Sequence, residues 1–215
     1  MKTPEDFSIH LAYSYDKPED LARYYNDSAK EYDDYVRSVG YILPRLVAEK
    51  ANGLIRESDV VIDVGCGTGL LGVELNMLNC NLQIHGSDVS PMMVLCAYEK
   101  KNINQRRCYE KLYQIDATTE NPIPKNKYSF MVSSGTFTTG HLDAGHLRNI
   151  VKSLKSDSFS VFSVKSDHFK ETRFMDTVAE LESRGLIELI DVCEVDSYKN
   201  PRYTAMSNIL SIKIN

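Results

Sequence analysis

Branched apolar residues crowd into the run Val60-Val61-Ile62-Asp63-Val64, which ends on Gly65-Cys66-Gly67-Thr68-Gly69 and passes directly into Leu70-Leu71-Gly72-Val73. A strand covered on both faces reads as continuous Val and Ile rather than as an alternation. The stretch therefore predicts a buried parallel strand, a tight turn and a helix over 70–78. The rhythm then repeats. Strand-like segments over 81–90, 109–115, 128–133, 158–165, 186–195 and 205–214 are separated by helical patterns over 91–101, 143–154 and 171–184. Strands alternating with helices predict βαβ units and a largely parallel sheet.

Residues 1–55 precede the first strand and hold seven of the 13 tyrosines: Tyr13, Tyr15, Tyr24, Tyr25, Tyr32, Tyr35 and Tyr41. Tyr25, Tyr32 and Tyr35 fall with Val36 and Val39 on one helical stripe. A second helix over 43–51 ends at Asn52-Gly53, a C-cap signal. This predicts an N-terminal helical cap over 1–55 and one α/β unit over 56–215. Two readings of the cap stand side by side: an amphipathic helix pair packed beside the sheet, or a cover that turns tyrosines onto a ligand.

Composition narrows the setting. The length fits one domain or one domain with an extension. A hydrophobic share of 42% and a charged share of 26% are ordinary for a globular protein. A net charge of −5 supplies no field for phosphate backbones, so no nucleic-acid partner is expected. Lys100-Lys101 and Arg106-Arg107 read as a solvated helix end. The five cysteines are odd in number and form no C-x-x-C pair, which fits free thiols in a reducing cytosol and no zinc. There is no apolar signal region at Met1–Asp6 and no run of apolar residues long enough to span a bilayer, so a cytoplasmic protein is expected.

The glycine turn carries the candidate chemistry. Glycines allow positive φ and close ligand approach, and the helix start leaves N–H groups free for polar ligand atoms. Gly67-Thr68-Gly69-Leu70-Leu71-Gly72 also fits G-x-G-x-x-G, the dinucleotide pattern. Against that reading stands Asp63, whose carboxylate before the first glycine repels a pyrophosphate and suits a cation such as an amino-acid ammonium.

Asp63-Val64-Gly65-Cys66-Gly67-Thr68-Gly69 resembles motif I of the class I S-adenosylmethionine-dependent methyltransferases. The resemblance implies a Rossmann-like, seven-stranded, mostly parallel sheet with an antiparallel last strand, helices on both faces and the N-terminal cap. It implies S-adenosyl-L-methionine as cofactor and S-adenosyl-L-homocysteine as product, with Asp63, Gly65, Cys66, Gly67, Thr68 and Gly69 at the turn. Asp88, 19 residues after Gly69, matches the family's second acid, which holds the ribose hydroxyls; Val89, Ser90 and Met92 follow beside it. Without a ligand, Asp88-Val89-Ser90-Pro91 is simply a helix N-cap with proline in the first turn. Asp116-Ala117 matches the pair that holds the adenine amino group, or else Asp116 caps a turn. Ser134, Gly135 and Thr136, in the loop expected after strand four, line the cofactor by their backbone in this family. Tyr25 and Tyr32 sit in a stretch resembling the opening of many small methyltransferases, which closes over the cofactor. His141 is the candidate general base; otherwise it caps a helix or faces water. His146 reads as surface, while His168, Tyr198, Arg202 and Tyr203 stand at the edge of the acceptor side.

The loop Gly135-Thr136-Phe137-Thr138-Thr139-Gly140-His141-Leu142 resembles the small methyltransferase-like proteins related to the Williams–Beuren syndrome region methyltransferase. One departure is the lack of the family's Pro-Gly-Gly turn before strand five, where this chain reads Leu154-Lys155-Ser156-Asp157-Ser158. The function implied is methyl transfer to an O or N of a small-molecule acceptor by a monomer or homodimer without membrane association. The rivals are a non-catalytic binder of the cofactor or its product, acting as sensor or partner subunit, and a nicotinamide-dependent oxidoreductase.

Overall fold

The computed structural model describes residues 18–215. Tyr13, Tyr15 and the N-terminal segment read above for a signal region lie outside the described residues. Two helices come first, α1 (Pro18–Ser38) and α2 (Leu43–Asn52). Then follow β1 (Val60–Val64), α3 (Leu70–Leu78), β2 (Gln83–Asp88), α4 (Pro91–Glu99), β3 (Lys111–Gln114) and β4 (Phe130–Phe137). The chain closes with α5 (Ala144–Val151), β5 (Phe159–Lys165), α6 (Ser166–Glu171), α7 (Phe174–Ser183), β6 (Ile187–Asp196) and β7 (Met206–Ile214).

The seven strands form one sheet in the order β3-β2-β1-β4-β5-β7-β6. β1 to β5 pair in parallel, and β7 runs antiparallel to both of its neighbours. Chain order reverses between β1 and β4, which opens a crevice at the carboxyl ends of the central strands.

Successive side chains of β1 feed opposite cores. Val61 joins Phe130, Val132 and Val161 against α2, α3 and α4, whereas Ile62 and Val64 join Met131, Phe162 and Val164 against α5 and α7. The second core centres on Phe137, Phe162 and Phe174, whose rings lie 5.1 to 6.2 Å apart. Each such buried ring contributes about 1.5–3 kcal/mol. Both faces of the parallel strands are therefore apolar, as the unbroken Val/Ile runs require.

Three details differ from the sequence reading. The residues expected as a loop after strand four, Ser134–Thr136, belong to β4, which runs on to Phe137 through a register shift. Gly135 sits there at φ 73, and its N–H donates to the Ser163 hydroxyl at 2.9 Å, so a side chain replaces the missing ladder bond. The helix expected over 171–184 begins only at Phe174, and an unexpected short helix, α6, runs just before it, the two parted at Arg173 with φ 50. Thr172 caps the first of them by donating its hydroxyl to the His168 carbonyl at 2.6 Å. Gly53 follows α2 at φ −71 rather than in the left-handed region. In the turn before β5, Asp157 takes φ 60 and pairs with Lys213 at 2.9 Å.

The cap is fastened at several points. α1 packs against α4, while α2 packs against α3 and the sheet. Between them, Ile42 N–H donates to Ser197 O at 2.9 Å and Lys199 N–H donates to Gly40 O at 2.8 Å, joining the α1–α2 junction to the β6–β7 connection.

Candidate functional site

Above the carboxyl ends of β1, β2 and β4 lies a cavity of about 620 Å³, within the range of small-molecule sites, about 300–1,000 Å³. One part is built locally. After β1 the backbone doubles back: the Gly65 and Cys66 N–H groups both donate to Ser87 O, at 2.8 and 2.9 Å. Gly65 has φ +69, and a Cβ there would overlap the Thr136 side chain, so glycine is required on both counts. The Ser133 hydroxyl donates to Val64 O at 2.7 Å, fixing the end of β1 to β4.

Asp88 ends β2 and binds the same turn. Its two oxygens accept from Gly67 N–H and Ser90 N–H, both at 2.9 Å. Burial pushes the Asp88 carboxyl up, while the backbone N–H groups of Ser90, Gly67 and Val89 hold it down. Each oxygen keeps a second lone pair for a ligand hydroxyl. Asp63 is fully buried; Tyr109 donates to its Oδ2 at 2.7 Å, and its Oδ1 has no partner among the described residues. Burial pushes the Asp63 carboxyl up to about 7, Tyr109 opposes this, and Asp88 adds to it. Beyond β3, Asp116 holds its own turn, accepting from Thr118 N–H and hydroxyl at 2.8 and 2.6 Å.

The remaining wall is assembled from distant segments: Tyr25, Tyr32, Tyr41 and Pro44 from the cap, Thr139 to Asp143 before α5, His146 within it, and His168, Glu171 and Thr172 on and after α6. Here Tyr25 Oη and His141 Nε2 lie 2.9 Å apart, and His141 Nδ1 lies 3.1 Å from Thr139 O. A carbonyl only accepts, so Nδ1 carries a proton and, in neutral His141, Nε2 accepts from the Tyr25 hydroxyl. Burial pushes the His141 imidazole below its ordinary value, the Thr139 carbonyl pulls it up, and His168 lowers it. The true cap of α5 is Asp143, which forms a reciprocal pair with His146.

Of the residues singled out from sequence, Tyr25, Tyr32, Asp63, Gly65, Cys66, Gly67, Thr68, Asp88, Val89, Asp116, Ala117, Ser134, Gly135, Thr136 and His141 all line this one cavity. Gly69, Ser90 and Met92 do not. Gly69 turns toward Ala97 and Tyr109. Ser90 caps α4 by accepting from Met93 N–H at 3.1 Å, and its hydroxyl donates to Asn26. Met92 N–H also goes to Asn26, and Met93 lines the cavity in its place. His146 is half-buried at the wall rather than on the surface. Tyr41, Pro44 and Glu171 were missed, and no local pattern marks them. Tyr198, Arg202 and Tyr203 stay outside the lining.

The architecture is the Rossmann-like fold shared by solved S-adenosylmethionine-dependent methyltransferases, with the glycine turn at the carboxyl end of β1. Residues 61–157 match the family described as Methyltransferase domain. Over 150 residues the chain is 27% identical to a malonyl-[acyl-carrier protein] O-methyltransferase of Acetivibrio thermocellus, covering 66% of this chain and 48% of that protein. Over 81 residues it is 37% identical to human methyltransferase-like protein 27, covering 35% of this chain and 33% of that protein. The chain thus spans about half the length of the bacterial relative and a third of the human one. Among solved structures, a TehB-like SAM-dependent methyltransferase of Corynebacterium glutamicum shares the fold with a TM-score of 0.62 at 17% identity, covering 90% of this chain and 98% of that one. Magnesium protoporphyrin IX methyltransferase of Synechocystis PCC 6803, solved with bound SAM, matches with a TM-score of 0.62 at 13% identity, covering 91% of this chain and 95% of that one.

Proposed function

We propose that the protein transfers the methyl group of S-adenosyl-L-methionine to a hydroxyl or amine of a small molecule. The observation that carries this reading is the row of carboxylates Asp63, Asp88 and Asp116, all lining one cavity beside the Gly65–Thr68 turn. The donor set fits the cofactor: Asp63, with an unpartnered buried oxygen, would take its ammonium, Asp88 its ribose hydroxyls and Asp116 its adenine amino group. When bound, the cofactor supplies a methyl group already activated by a sulfonium. The protein's share is therefore mainly alignment, and a base is needed only for an acceptor protonated at neutral pH.

On the acceptor side, His141 has one basic lone pair, and Tyr25 occupies it. An acceptor hydroxyl would lose its proton to the Tyr25 oxygen as the Tyr25 proton passes to His141 Nε2. The lowered pKa of His141 keeps it neutral, and so basic, at neutral pH. A half-buried cavity of this size suits a small acceptor. From residues 135–142 we further propose that the chain groups with the proteins related to the Williams–Beuren region methyltransferase, and that it works in the cytoplasm as a monomer or homodimer.

Titration calorimetry with S-adenosyl-L-homocysteine tests the cofactor reading. Wild type binds, and Asp88→Ala weakens binding strongly; unchanged affinity removes Asp88 from the site. Release of S-adenosyl-L-homocysteine with a panel of small hydroxyl and amine acceptors tests catalysis. Tight cofactor binding with no turnover on any acceptor identifies a sensor instead.

A further inference from the structure

Tyr109 enters neither the glycine turn nor the three acidic stations, yet the turn is built around it. Its side chain is buried. A Cβ on Gly72 would overlap its ring, and one on Gly69 or Gly86 would come to 3.0 Å from it. The backbone thus approaches one aromatic ring from three sides. A phenylalanine would fill that space equally well, so what distinguishes tyrosine is the hydroxyl. That hydroxyl accepts from Gly72 N–H in the first turn of α3 at 3.0 Å and donates to Asp63 Oδ2 at 2.7 Å. Burial pushes the phenol well above its ordinary value, so it remains a donor throughout the working range. A chain from helix N–H to hydroxyl to carboxylate is mutually polarised and carries the positive end of the helix dipole to Asp63.

We propose that Tyr109 is a positioning residue for the cationic end of the ligand: its hydroxyl pins one oxygen of Asp63 to α3 and leaves the other, Oδ1, for an ammonium group. This rests on the cofactor reading above. The ionisable groups around Asp63 are Asp88 at the end of β2, the buried Cys66 thiol on the turn, and Tyr109 itself. Burial and Asp88 favour the protonated carboxyl, and the Tyr109 hydrogen bond favours the ionised one. Removing the hydroxyl therefore moves the ionisation of Asp63 to higher pH.

The test is calorimetry on the full chain between about pH 6 and pH 8, with two probes. S-adenosyl-L-homocysteine carries the amino-acid end, and methylthioadenosine lacks it. Wild-type affinity for the first rises with pH through about 7. In Tyr109→Phe that rise shifts to higher pH, the loss is roughly tenfold near pH 6.5 and smaller near pH 8, and methylthioadenosine binds as before. Equal losses for both probes at every pH, or no loss at all, overturn the proposal. Gly72→Ala, whose Cβ displaces the ring, provides the same signature if Tyr109→Phe does not fold. Wild-type protein that binds neither probe overturns the cofactor reading itself, and this inference with it.

Discussion

The two halves of the cavity are made in different ways. The half we propose for the cofactor comes from a compact stretch, with strand ends and turns from Asp63 to Thr118 each supplying a polar group within a few residues of a glycine or a cap. The half proposed for the acceptor draws on α1, the α1–α2 junction, the segment before α5, and α6, with partners such as Tyr25 and His141 separated by 116 positions. A pocket part that sits inside two consecutive βαβ units is set by local backbone geometry. A part assembled across the chain depends on tertiary packing, and it is where substrate preference can change without disturbing the fold.

Substitutions that strike one half and spare the other can break this comparison. The largest effect is expected where the halves touch: Gly65→Val drives a side chain into Thr136 at a backbone angle that β-branched residues avoid. Binding of S-adenosyl-L-homocysteine falls below calorimetric detection, by more than about 100-fold, in a chain whose circular dichroism is unchanged. Next come His141→Ala and Tyr25→Phe, which lower kcat by about 10²–10⁴ on a hydroxyl acceptor and leave product affinity within about threefold. The acid limb of the wild-type rate lies below 6.5, because burial lowers the His141 pKa and extends its basic form downward. If either variant also loses product affinity, the halves are not separable.

Asp88→Ala removes a charged acceptor that fixes the turn and should weaken product binding by about 10–100-fold. Asp63→Asn acts on stability. The folded carboxyl keeps its proton up to about 7, against 3.8 for the ordinary group, so the native state binds more protons between those values and stability falls as pH rises through that window. Denaturant melts of the apo protein should therefore slope downward from about pH 4 to pH 7, and the slope should flatten in Asp63→Asn. The smallest effect is expected for Asp33→Ala. Asp33 accepts from the Thr68 hydroxyl at 2.5 Å and pairs with Lys100, and its loss should cost a few-fold in product affinity, about 1 kcal/mol.

The same division explains what could be read from the residues alone. The strand–turn–helix of Val60–Leu78 and the alternation of strands with helices were legible because burial on both faces forces unbroken Val/Ile runs and the turn forces glycines, whereas the order of the strands was not read from the residues. Asp63, Asp88 and Asp116 were legible because each lies near or just beyond the carboxyl end of a strand, where the resembled family has its acids. Ser90 and Met92 were assigned to the cavity by proximity to Asp88, but Asn26, 64 positions before Ser90, takes their polar groups. The break at Arg173 was hidden because a left-handed arginine leaves no compositional mark. Tyr109 and Glu171 have no local signature, since their importance lies only in what the tertiary fold sets beside them.

The cap helix carries a further consequence. Tyr25 and Tyr32 stand seven residues apart on α1, as do Asn26 and Asp33 beside them. One pair faces the cavity, and the other reaches Ser90, Met92 and Thr68. Both halves are thus read by a single rod whose phase is fixed by helical periodicity. One residue inserted between Asn26 and Tyr32 would rotate the second pair about 100° against the first. No adjustment of the rod could then seat all four side chains at once, so the length of this segment is under tighter geometric control than the identity of its outward-facing residues.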